Sequence, residues 1–289
     1  MSRQKLGQSA SDQQAVPASR YNYQELAEIY NEARTDYIVP MPMNAKRMQE
    51  YVEHYDIDLD GSFVVLGTDN LPCGVGMLGM RGHRAWVTRL GVIPHRRLRG
   101  MGQFIMESML NYAQDNGATL AQLEVIVGND PARALFLKLG FRDTRTLLIV
   151  RRPPGEPAID EQHEAAHVEN IPDDAIRDYL AERAAGASWI EETPSLLNAG
   201  NLRGIVATLP DGERAWVIFQ RTPFQLTHFV LGPDASHNAI HAALYHVHKA
   251  FPMQDTKIEN VPLKDEEWQI YKRMGYIEVF RRHEMFLYF

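Results

Sequence analysis

The feature that most limits how this chain can fold is an arginine- and glycine-rich loop between an apolar run and a helical segment. Residues 94–102 read PHRRLRGMG, with three arginines and two glycines in nine residues. A strand that leads through such a loop into a helix exposes backbone N–H groups at the helix N-terminus, where anions bind. Glycines let the backbone close around phosphate oxygens, and arginines add charge-assisted hydrogen bonds. The loop therefore suits a strand–loop–helix unit with a site for a diphosphate, and a solvated basic turn is the alternative that this pattern taken alone favours.

The segments around the loop alternate between strand and helix patterns. Residues 62–94 read as strands broken by turns, and residues 102–117 carry apolar side chains at helical spacing. A strand pattern follows at 119–127, a short helix at 129–141 and another strand at 144–152. This order predicts a domain in which strands and helices alternate along the chain.

The second half of the chain repeats this order of elements. The clearest local echo pairs LFLKLGF, residues 135–141, with IYKRMGY, residues 270–276. Both stretches lie at the same place in their halves, which predicts an internal repeat and a fold of class α/β (α+β) with two domains. Between the halves, PPGEP is the best linker candidate. The expected segments are a disordered leader at 1–20, a first domain at 21–152, the linker at 153–157 and a second domain at 158–289.

Composition and charge argue against several classes of function. Residues 1–152 hold 18 basic and 16 acidic residues, net +2, whereas residues 153–289 hold 12 and 21, net −9. A protein that binds nucleic acid shows a broad basic surface, so the local arginines indicate a small anionic ligand instead. No apolar run approaches the roughly 20 residues that cross a bilayer. The single cysteine, Cys73, and a start without a secretory signal indicate the cytoplasm.

The stretch around the loop resembles motif A of the GNAT N-acetyltransferases, the acetyl-coenzyme A-dependent superfamily. The match runs V-x-P-x-x-R-x-x-G-x-G from Val92 to Gly102. Residues 123–141 are similar to the family's segment of strand, asparagine, helix and Gly-Phe, and spacing and order agree over residues 61–150. A Walker-type loop is excluded because no Gly-Lys-Ser/Thr follows, and the third glycine of the dinucleotide-binding pattern is missing. The resemblance implies two GNAT-like domains, each a mixed, mostly antiparallel sheet flanked by helices, with acetyl-CoA as the acyl donor in the first.

The resemblance also implies which residues bind acetyl-CoA. In the family, the strand before the loop binds the pantetheine arm, and backbone N–H groups of the loop bind the diphosphate. The family's asparagine, which corresponds to Asn129, contacts the cofactor further along. The cofactor-binding residues implied in this way are Leu90, Gly91, Val92, Arg97, Leu98, Arg99, Gly100, Met101, Gly102, Gln103, Asn129 and Phe136.

Transfer to an amine requires a base for the amine proton, donors for the thioester oxygen and a route for the thiolate to leave. The N–H of Val92 or a neighbour is the candidate donor, and Glu124 is the expected base because some relatives have a glutamate there. A solvated or salt-bridged strand glutamate is the alternative. Phe136 replaces the tyrosine of the family's A-L-Y-x-x-L-G-F. Either Tyr112 or a water then protonates the sulfur, or the thiolate leaves unaided, since a thiol pKa is about 8.5.

The second half departs from the family pattern at the cofactor loop. Its corresponding stretch, LGPDASHN, contains no arginine, and Asp234 lies where a phosphate would be repelled. Tyr271 keeps the family's tyrosine, but without a cofactor loop it is expected to contribute packing. We therefore expect a degenerate second copy that does not bind coenzyme A.

Histidines of the second half provide the best metal candidate. His237 and His241 have the i, i+4 spacing of zinc ligands, but the glutamate of H-E-x-x-H is missing. With His248 they are expected on a solvated helix flank, so no metal site is predicted.

These observations predict an acetyl-CoA-dependent N-acetyltransferase whose acceptor is a small-molecule amine. A peptide or protein N-acetyltransferase is one alternative, and a non-catalytic acyl-CoA-binding sensor, suggested by Phe136, is another. The acidic second half favours a cationic acceptor. Neither nucleic acid nor a membrane is expected as a partner, and the chain is expected to be a monomer or a homodimer.

Overall fold

A computed structural model describes residues 13–158, 161–164, 166–264 and 266–289. The chain divides into two compact units. The first unit extends to Thr144 and also includes Glu284–Phe289, whereas the second comprises Arg145–His283. None of the helices in the described ranges combines the length and the apolar character that a membrane crossing requires.

The first unit contains the strands and helices that the sequence predicts. Asn22 begins the first helix with a capping box, in which its side chain accepts the N–H of Glu25 and its own N–H donates to the Glu25 carboxylate. Gly117, with a φ of 85°, follows the helix after the loop. The elements are β1 (Gln14–Pro17), α1 (Tyr23–Ala33), α2 (Ala45–His54), β2 (Ile57–Leu66), β3 (Pro72–Arg81), β4 (Arg84–Val92), α3 (Met101–Asp115), β5 (Leu120–Ile126), α4 (Asp130–Lys138) and the beginning of β6 (Arg142–Arg152).

The sheet of the first unit has the order β1-β2-β3-β4-β5, antiparallel except for the parallel pair β4 and β5. The last strand of the chain, β12 (Ile277–Tyr288), contributes its final residues beside β5, where the Phe289 N–H donates to the Thr119 carbonyl at 3.1 Å. Ile105 and Met109 of α3 are fully buried in the core of this unit, together with Met285 of β12. The first domain is thus completed by residues from the far end of the sequence.

The second unit has its own core beneath a long amphipathic helix. Ile240, Ala243, Leu244 and Val247 of that helix are buried there, as the helical spacing predicts. The elements after β6 are α5 (Glu161–Glu164), β7 (His167–Asn170), α6 (Ile176–Ala181), α7 (Thr193–Ala199), β8 (Leu202–Thr208), β9 (Arg214–Arg221), β10 (Gln225–Leu231), α8 (His237–Ala250), β11 (Asp255–Pro262), α9 (Glu267–Arg273) and β12.

The second unit repeats the topology of the first. Its strands follow the order β6-β11-β10-β9-β8-β7, and β10 is antiparallel to β9 and parallel to β11. The order of β10, α8, β11 and α9 along the chain matches that of β4, α3, β5 and α4. The predicted internal repeat of a mixed α/β fold is therefore confirmed.

The segment bounds differ from the prediction in three places. Residues 1–12 of the expected leader lie outside the described residues, but Gln14–Pro17 is a strand because Val16 is buried and β1 pairs with β2. The first unit ends at Thr144 rather than at residue 152, and it recruits residues 284–289. The linker candidate 153–157 lies inside the second unit, where Arg152 donates to the Gly155 carbonyl at 3.0 Å.

The expectation that the α8 histidines form a solvated flank is wrong for His248. Its ring is fully buried, and Nε2 lies 2.9 Å from the Tyr276 hydroxyl. Burial, reinforced by the charge of Arg152, lowers the pKa of His248 to about 3. His237 is exposed and paired with Glu266, as a surface histidine would be.

Candidate active site

The strand that leads into the arginine-rich loop separates from its parallel neighbour. β4 pairs with β5 over only three residues, the last of which is Trp86, opposite Gln122. Three residues further along β4, Arg89 has a φ of 53°, and the register with β3 shifts at this place. A bulge of this kind bends a strand and ends its pairing. An opening therefore lies between the later halves of β4 and β5.

The backbone of Val92 faces this opening. The Ile93 N–H donates to the Cys73 carbonyl at 2.8 Å, which makes these two residues a hydrogen-bonded pair of the antiparallel ladder. Hydrogen-bonded and non-hydrogen-bonded pairs alternate, so Val92, opposite Gly74, belongs to a non-hydrogen-bonded pair. Its N–H and C=O consequently point away from β3, towards the side where pairing with β5 has ended. The N–H that the sequence suggested as a carbonyl donor thus has a suitable direction.

The loop presents backbone N–H groups at the start of α3. Gly100 has a φ of 90°, in the left-handed region that favours glycine, and turns the chain into the helix. The Met101 N–H donates to the Leu98 carbonyl and the Phe104 N–H to the Gly100 carbonyl. Among the described residues, the N–H groups of Gly102 and Gln103 have no backbone acceptor. The first turn of α3 therefore has the geometry of an anion site.

A depression of about 460 Å³ lies over this turn. Val92 and residues 97–103 form its floor, and Leu135 and Lys138 of α4 close one side. The Lys138 ammonium donates to the Gln103 side chain at 2.7 Å, which places a cation beside the N–H groups. Lys138 is not among the residues predicted from the sequence, although its position two residues before Gly140, on the helix that follows Asn129, could have indicated it.

The three arginines of the loop have different partners. Arg96 is bound to Asp69 and donates to the Cys73 sulfur at 3.4 Å, which anchors the loop to β3. Arg97 forms a two-pronged ion pair with Asp36, at 2.6 and 2.8 Å. Arg99 is exposed and has no polar partner within the described ranges. The loop pattern predicts Arg97 at the diphosphate but does not indicate that Asp36 competes for it.

The C-terminal end of α1 packs against β4 beside the loop. A Cβ added at Gly91 would lie 3.0 Å from the Ala33 Cβ, so glycine is needed here for helix packing. Arg34 donates to the Leu90 carbonyl at 3.3 Å and stacks on the Tyr37 ring, 3.4 Å from its centroid. The structure thus supplies a packing reason for Gly91, which the resemblance had linked to the pantetheine arm.

The two residues suggested on the α4 side differ in accessibility. Asn129 is the N-cap of α4 and half-buried, and its side chain makes no hydrogen bond among the described residues. Phe136 is buried in the core, with its ring centroid 6.1 Å from that of Phe141. Asn129 can reach a ligand with its amide, whereas Phe136 can provide only an apolar surface.

Glu124 lies on the β5 side of the opening. The Trp86 indole N–H donates to the Glu124 carboxylate at 2.8 Å, so the carboxylate is fixed across the last paired residues of β4 and β5. Trp86 is held in turn by Tyr51 and Tyr55, whose ring centroids lie 6.2 and 6.0 Å away. The predicted base is therefore oriented by an aromatic cluster of Trp86, Tyr51 and Tyr55, which the sequence pattern does not indicate.

Arg89 of the bulge contacts Tyr51 of the same aromatic cluster. Its guanidinium lies 4.3 Å from the Tyr51 ring centroid and donates to the Tyr30 hydroxyl at 3.2 Å. The Tyr51 hydroxyl is 2.6 Å from Thr88 Oγ1, and burial raises the pKa of Tyr51, with a smaller contribution from Glu124. A half-buried cation, a carboxylate and several buried rings thus lie together on one side of the opening.

Tyr112 does not fit the role of a proton donor at the opening. Its hydroxyl donates to the Asp58 carboxylate at 3.0 Å, and its ring packs on Phe63 of β2. Burial and Asp58 both raise the pKa of Tyr112. Its proton is therefore held by a carboxylate of β2. The described residues also contain no group of three histidine, cysteine or acidic side chains arranged to hold a metal ion.

Comparison with known proteins identifies the segment that carries this site. Residues 24–141 match the model of the Acetyltransferase (GNAT) family. The matched stretch contains the loop, the opening and Glu124. No curated protein sequence matches the chain.

The fold of the whole chain is that of solved GNAT proteins. A GCN5-related N-acetyltransferase from Sphaerobacter thermophilus is 14% identical with a TM-score of 0.72, and the alignment covers 96% of each chain. A tandem GNAT protein from the clavulanic acid biosynthesis pathway is 15% identical with a TM-score of 0.65, over 96% of this chain and 98% of that one. A fungal glucosamine N-acetyltransferase region, within a multi-domain GH3 beta-N-acetylglucosaminidase, is 12% identical with a TM-score of 0.71, over 95% of this chain and 38% of that one.

Proposed function

We propose that this chain, whose residues 24–141 belong to the acetyltransferase (GNAT) family, moves an acetyl group from acetyl-CoA to a primary amine of a small molecule. The transfer is direct, without an acyl-enzyme. The observation that carries the proposal is the juxtaposition of an anion-binding helix start and a strand opening with a fixed carboxylate. Gly100 begins the first feature, and Glu124 borders the second.

The residues around the loop suit the diphosphate of acetyl-CoA. The N–H groups of Gly102 and Gln103 supply donors, and Arg99 and Lys138 supply positive charge that is not bound to a carboxylate. Arg97 joins them once the diphosphate replaces Asp36 as its partner. All of these groups border or lie in one depression, so they can act on one ligand.

The strand opening suits the pantetheine arm and the acyl group. Leu90, Gly91 and Val92 border it on β4, Asn129 follows the end of β5 at the start of α4, and Phe136 contributes apolar packing from the core. Bound acetyl-CoA supplies an activated thioester carbonyl. The Val92 N–H donates to that carbonyl oxygen, on which negative charge develops during attack.

Glu124 acts as the base, directly or through a water. The Trp86 hydrogen bond holds one carboxylate oxygen of Glu124 and so fixes the carboxylate on the β5 side of the opening. Neither Phe136 nor Tyr112 provides an acid, because the first has no hydroxyl and the second is bound to Asp58. The thiolate therefore leaves without a protein acid, which is possible because a thiol pKa lies at about 8.5.

The acceptor is a small amine that carries positive charge. The net charge of −9 in residues 153–289 attracts cations. Glucosamine, the substrate in the name of the fungal fold neighbour, belongs to this class of acceptor. The reaction takes place in the cytoplasm, in keeping with a single cysteine.

The second unit does not bind acetyl-CoA in this proposal. Asp234 stands in its loop, and the Ser236 side chain accepts the Ala239 N–H at the start of α8, at 3.2 Å. One of the donors that a phosphate would use is therefore already occupied.

Calorimetric titration of acetyl-CoA tests the proposal. We expect one site per chain in the wild type and none in the double variant Arg97→Glu/Gly100→Glu. An amine panel then compares wild type with Glu124→Gln, which should lose turnover while it keeps cofactor affinity. Binding without turnover of any amine would favour the non-catalytic sensor, turnover of peptides alone would favour a peptide N-acetyltransferase, and a wild type that does not bind would refute the assignment.

A further inference from the structure

The second unit contains a cavity between the C-terminal end of α8 and the sheet. Its volume is about 600 Å³, within the range of about 300–1,000 Å³ that is typical of small-molecule sites. The inner wall is apolar, with Phe219 of β9 and Val247 of α8 buried and with Ile205 and Phe251 partly buried beside them. The mouth is formed by exposed residues at positions 170, 172, 173, 203 and 250. A ligand can therefore enter from solvent and contact apolar side chains.

The first unit has an aromatic ring at the corresponding place. α3 ends at Asp115 and α8 at Ala250, and in each copy the next strand begins five residues later, so the two helices align without a gap. Tyr112 and Val247 both lie three residues before these ends. The Tyr112 ring packs edge-on against Phe63, with the ring centroids 6.4 Å apart. In the first unit, the helix thus fills with a phenol ring the space that it leaves open in the second.

The sheet side of the cavity also differs between the two copies. Strand pairing places Arg203 of β8 opposite Phe219. The corresponding pair of the first unit, counted from the threonine that precedes each bulge, is Phe63 and Gly76. Phe63 packs on the Tyr112 ring, whereas the Arg203 side chain is 58% exposed. The second unit therefore has one ring, that of Phe219, where the first has two.

Charge and hydrogen bonding around the cavity favour a neutral ligand that donates a hydrogen bond. The charged residues of the lining are Asp173 and Arg203, which pair with each other at 3.3 Å and leave no net charge. Nε2 of His246, on the cavity wall, lies 2.9 Å from the His163 carbonyl, which can only accept a hydrogen bond. The proton of the neutral ring is therefore on Nε2, and Nδ1 is an acceptor with no partner in the described ranges.

We infer that this cavity binds a neutral phenol, whose ring takes the place that the Tyr112 ring fills in the first unit and whose hydroxyl donates to Nδ1 of His246. Phe219 and Val247 supply apolar contacts for the ring, and binding is favourable because apolar surface is removed from water. The volume exceeds that of a single ring, so phenols with further substituents also fit. The site lies wholly in the second unit and does not depend on the proposed acetyl-CoA site.

Ligand-observed saturation-transfer NMR with 4-methylphenol tests this inference on the full chain, because this molecule has the ring and the hydroxyl of a tyrosine side chain. We expect saturable binding to the wild type and none to Val247→Tyr, in which a ring from the helix fills the cavity as Tyr112 does in the first unit. 4-Methylanisole, in which a methyl group replaces the hydroxyl proton, should bind about two- to tenfold more weakly, because it cannot donate to His246.

Ala250→Trp protects the test against a folding artefact of Val247→Tyr, since Ala250 is exposed at the mouth and a larger side chain there does not enter the core. It should weaken the binding of 4-methylphenol, whereas Asn238→Trp, at an exposed position of α8 outside the cavity lining, should leave the affinity unchanged. No saturation transfer at several millimolar 4-methylphenol would overturn the inference. Binding that survives both Val247→Tyr and Ala250→Trp, or equal affinity for 4-methylanisole, would overturn it as well.

Discussion

Replacement of Asp36 by asparagine should tighten the binding of coenzyme A. In the structure, the Asp36 carboxylate holds Arg97 through two hydrogen bonds, at 2.6 and 2.8 Å. The hydrogen bond from Arg97 lowers the pKa of Asp36, so the pair is fully charged near neutral pH. A diphosphate that recruits Arg97 must first displace this carboxylate. Asparagine keeps the shape of the side chain but removes the competing charge.

The size of the effect follows from the exposure of the pair. The Arg97 and Asp36 side chains are 49% and 50% exposed, and ion pairs exposed to this degree contribute about 0.2–1 kcal/mol. Removing the competitor therefore gains at most about 1 kcal/mol, which corresponds to an affinity about fivefold higher. Screening reduces the gain at high salt, since the Debye length is about 8 Å at physiological ionic strength.

Isothermal titration of coenzyme A into wild type and Asp36→Asn at two salt concentrations measures this gain. Asp173→Asn is the matched control, because it removes the same charge from an exposed aspartate–arginine pair of the second unit. We expect tighter binding in Asp36→Asn alone. If Asp36→Asn binds no better than wild type, while Arg97→Gln binds more weakly, Asp36 does not compete with the cofactor and the reasoning fails.

Three further predictions concern single side chains. Trp86→Phe should lower kcat far more than KM in the amine assay, because Glu124 loses the indole that orients it; an unchanged kcat would refute this role. Gly100→Ala should cost about 1 kcal/mol in urea unfolding and weaken coenzyme A binding, since φ is 90° there; unchanged stability would contradict the strain argument. The buried His248 has a pKa of about 3, so between about pH 6.5 and pH 3 the unfolded chain binds a proton at this residue that the folded protein does not. The free energy of unfolding should therefore fall as the pH drops below about 6.5. The unfolding free energy should be lower by about 2 kcal/mol at pH 5, because burial and the charge of Arg152 both oppose protonation of His248 in the folded protein. Urea unfolding of His248→Gln should show a flatter pH dependence.

The order of elements and the loop were predictable because both depend on local chemistry. Alternating apolar residues and the glycines at 100 and 117 act within one or two turns of chain, so the sequence displays them directly. The internal repeat was predictable for the same reason, because residues 135–141 and 270–276 share one short pattern of helix, glycine and aromatic residue.

The partners of the site residues were not predictable, because they come from distant parts of the chain. Asp36 binds Arg97 across 61 residues, and Trp86 binds Glu124 across 38. Nothing in the local pattern of PHRRLRGMG distinguishes Arg97, which has a carboxylate partner, from Arg99, which has none in the part of the chain that the structure describes. Such pairings follow from tertiary packing, as does the burial of His248 on a helix face that looked polar in sequence.

Because the end of β12 belongs to the first unit, the first unit cannot complete its fold early in synthesis. Met285 lies in the first core, and the Thr144 hydroxyl is bound to Glu284, 140 residues later. Domains of a growing chain usually fold in order as they leave the ribosome. Here the edge of β5 stays unpaired until residues 284–289 have left the ribosome, so the first unit cannot fold completely before then. Both units can therefore complete folding only late in synthesis, although most residues of the first unit are synthesised much earlier.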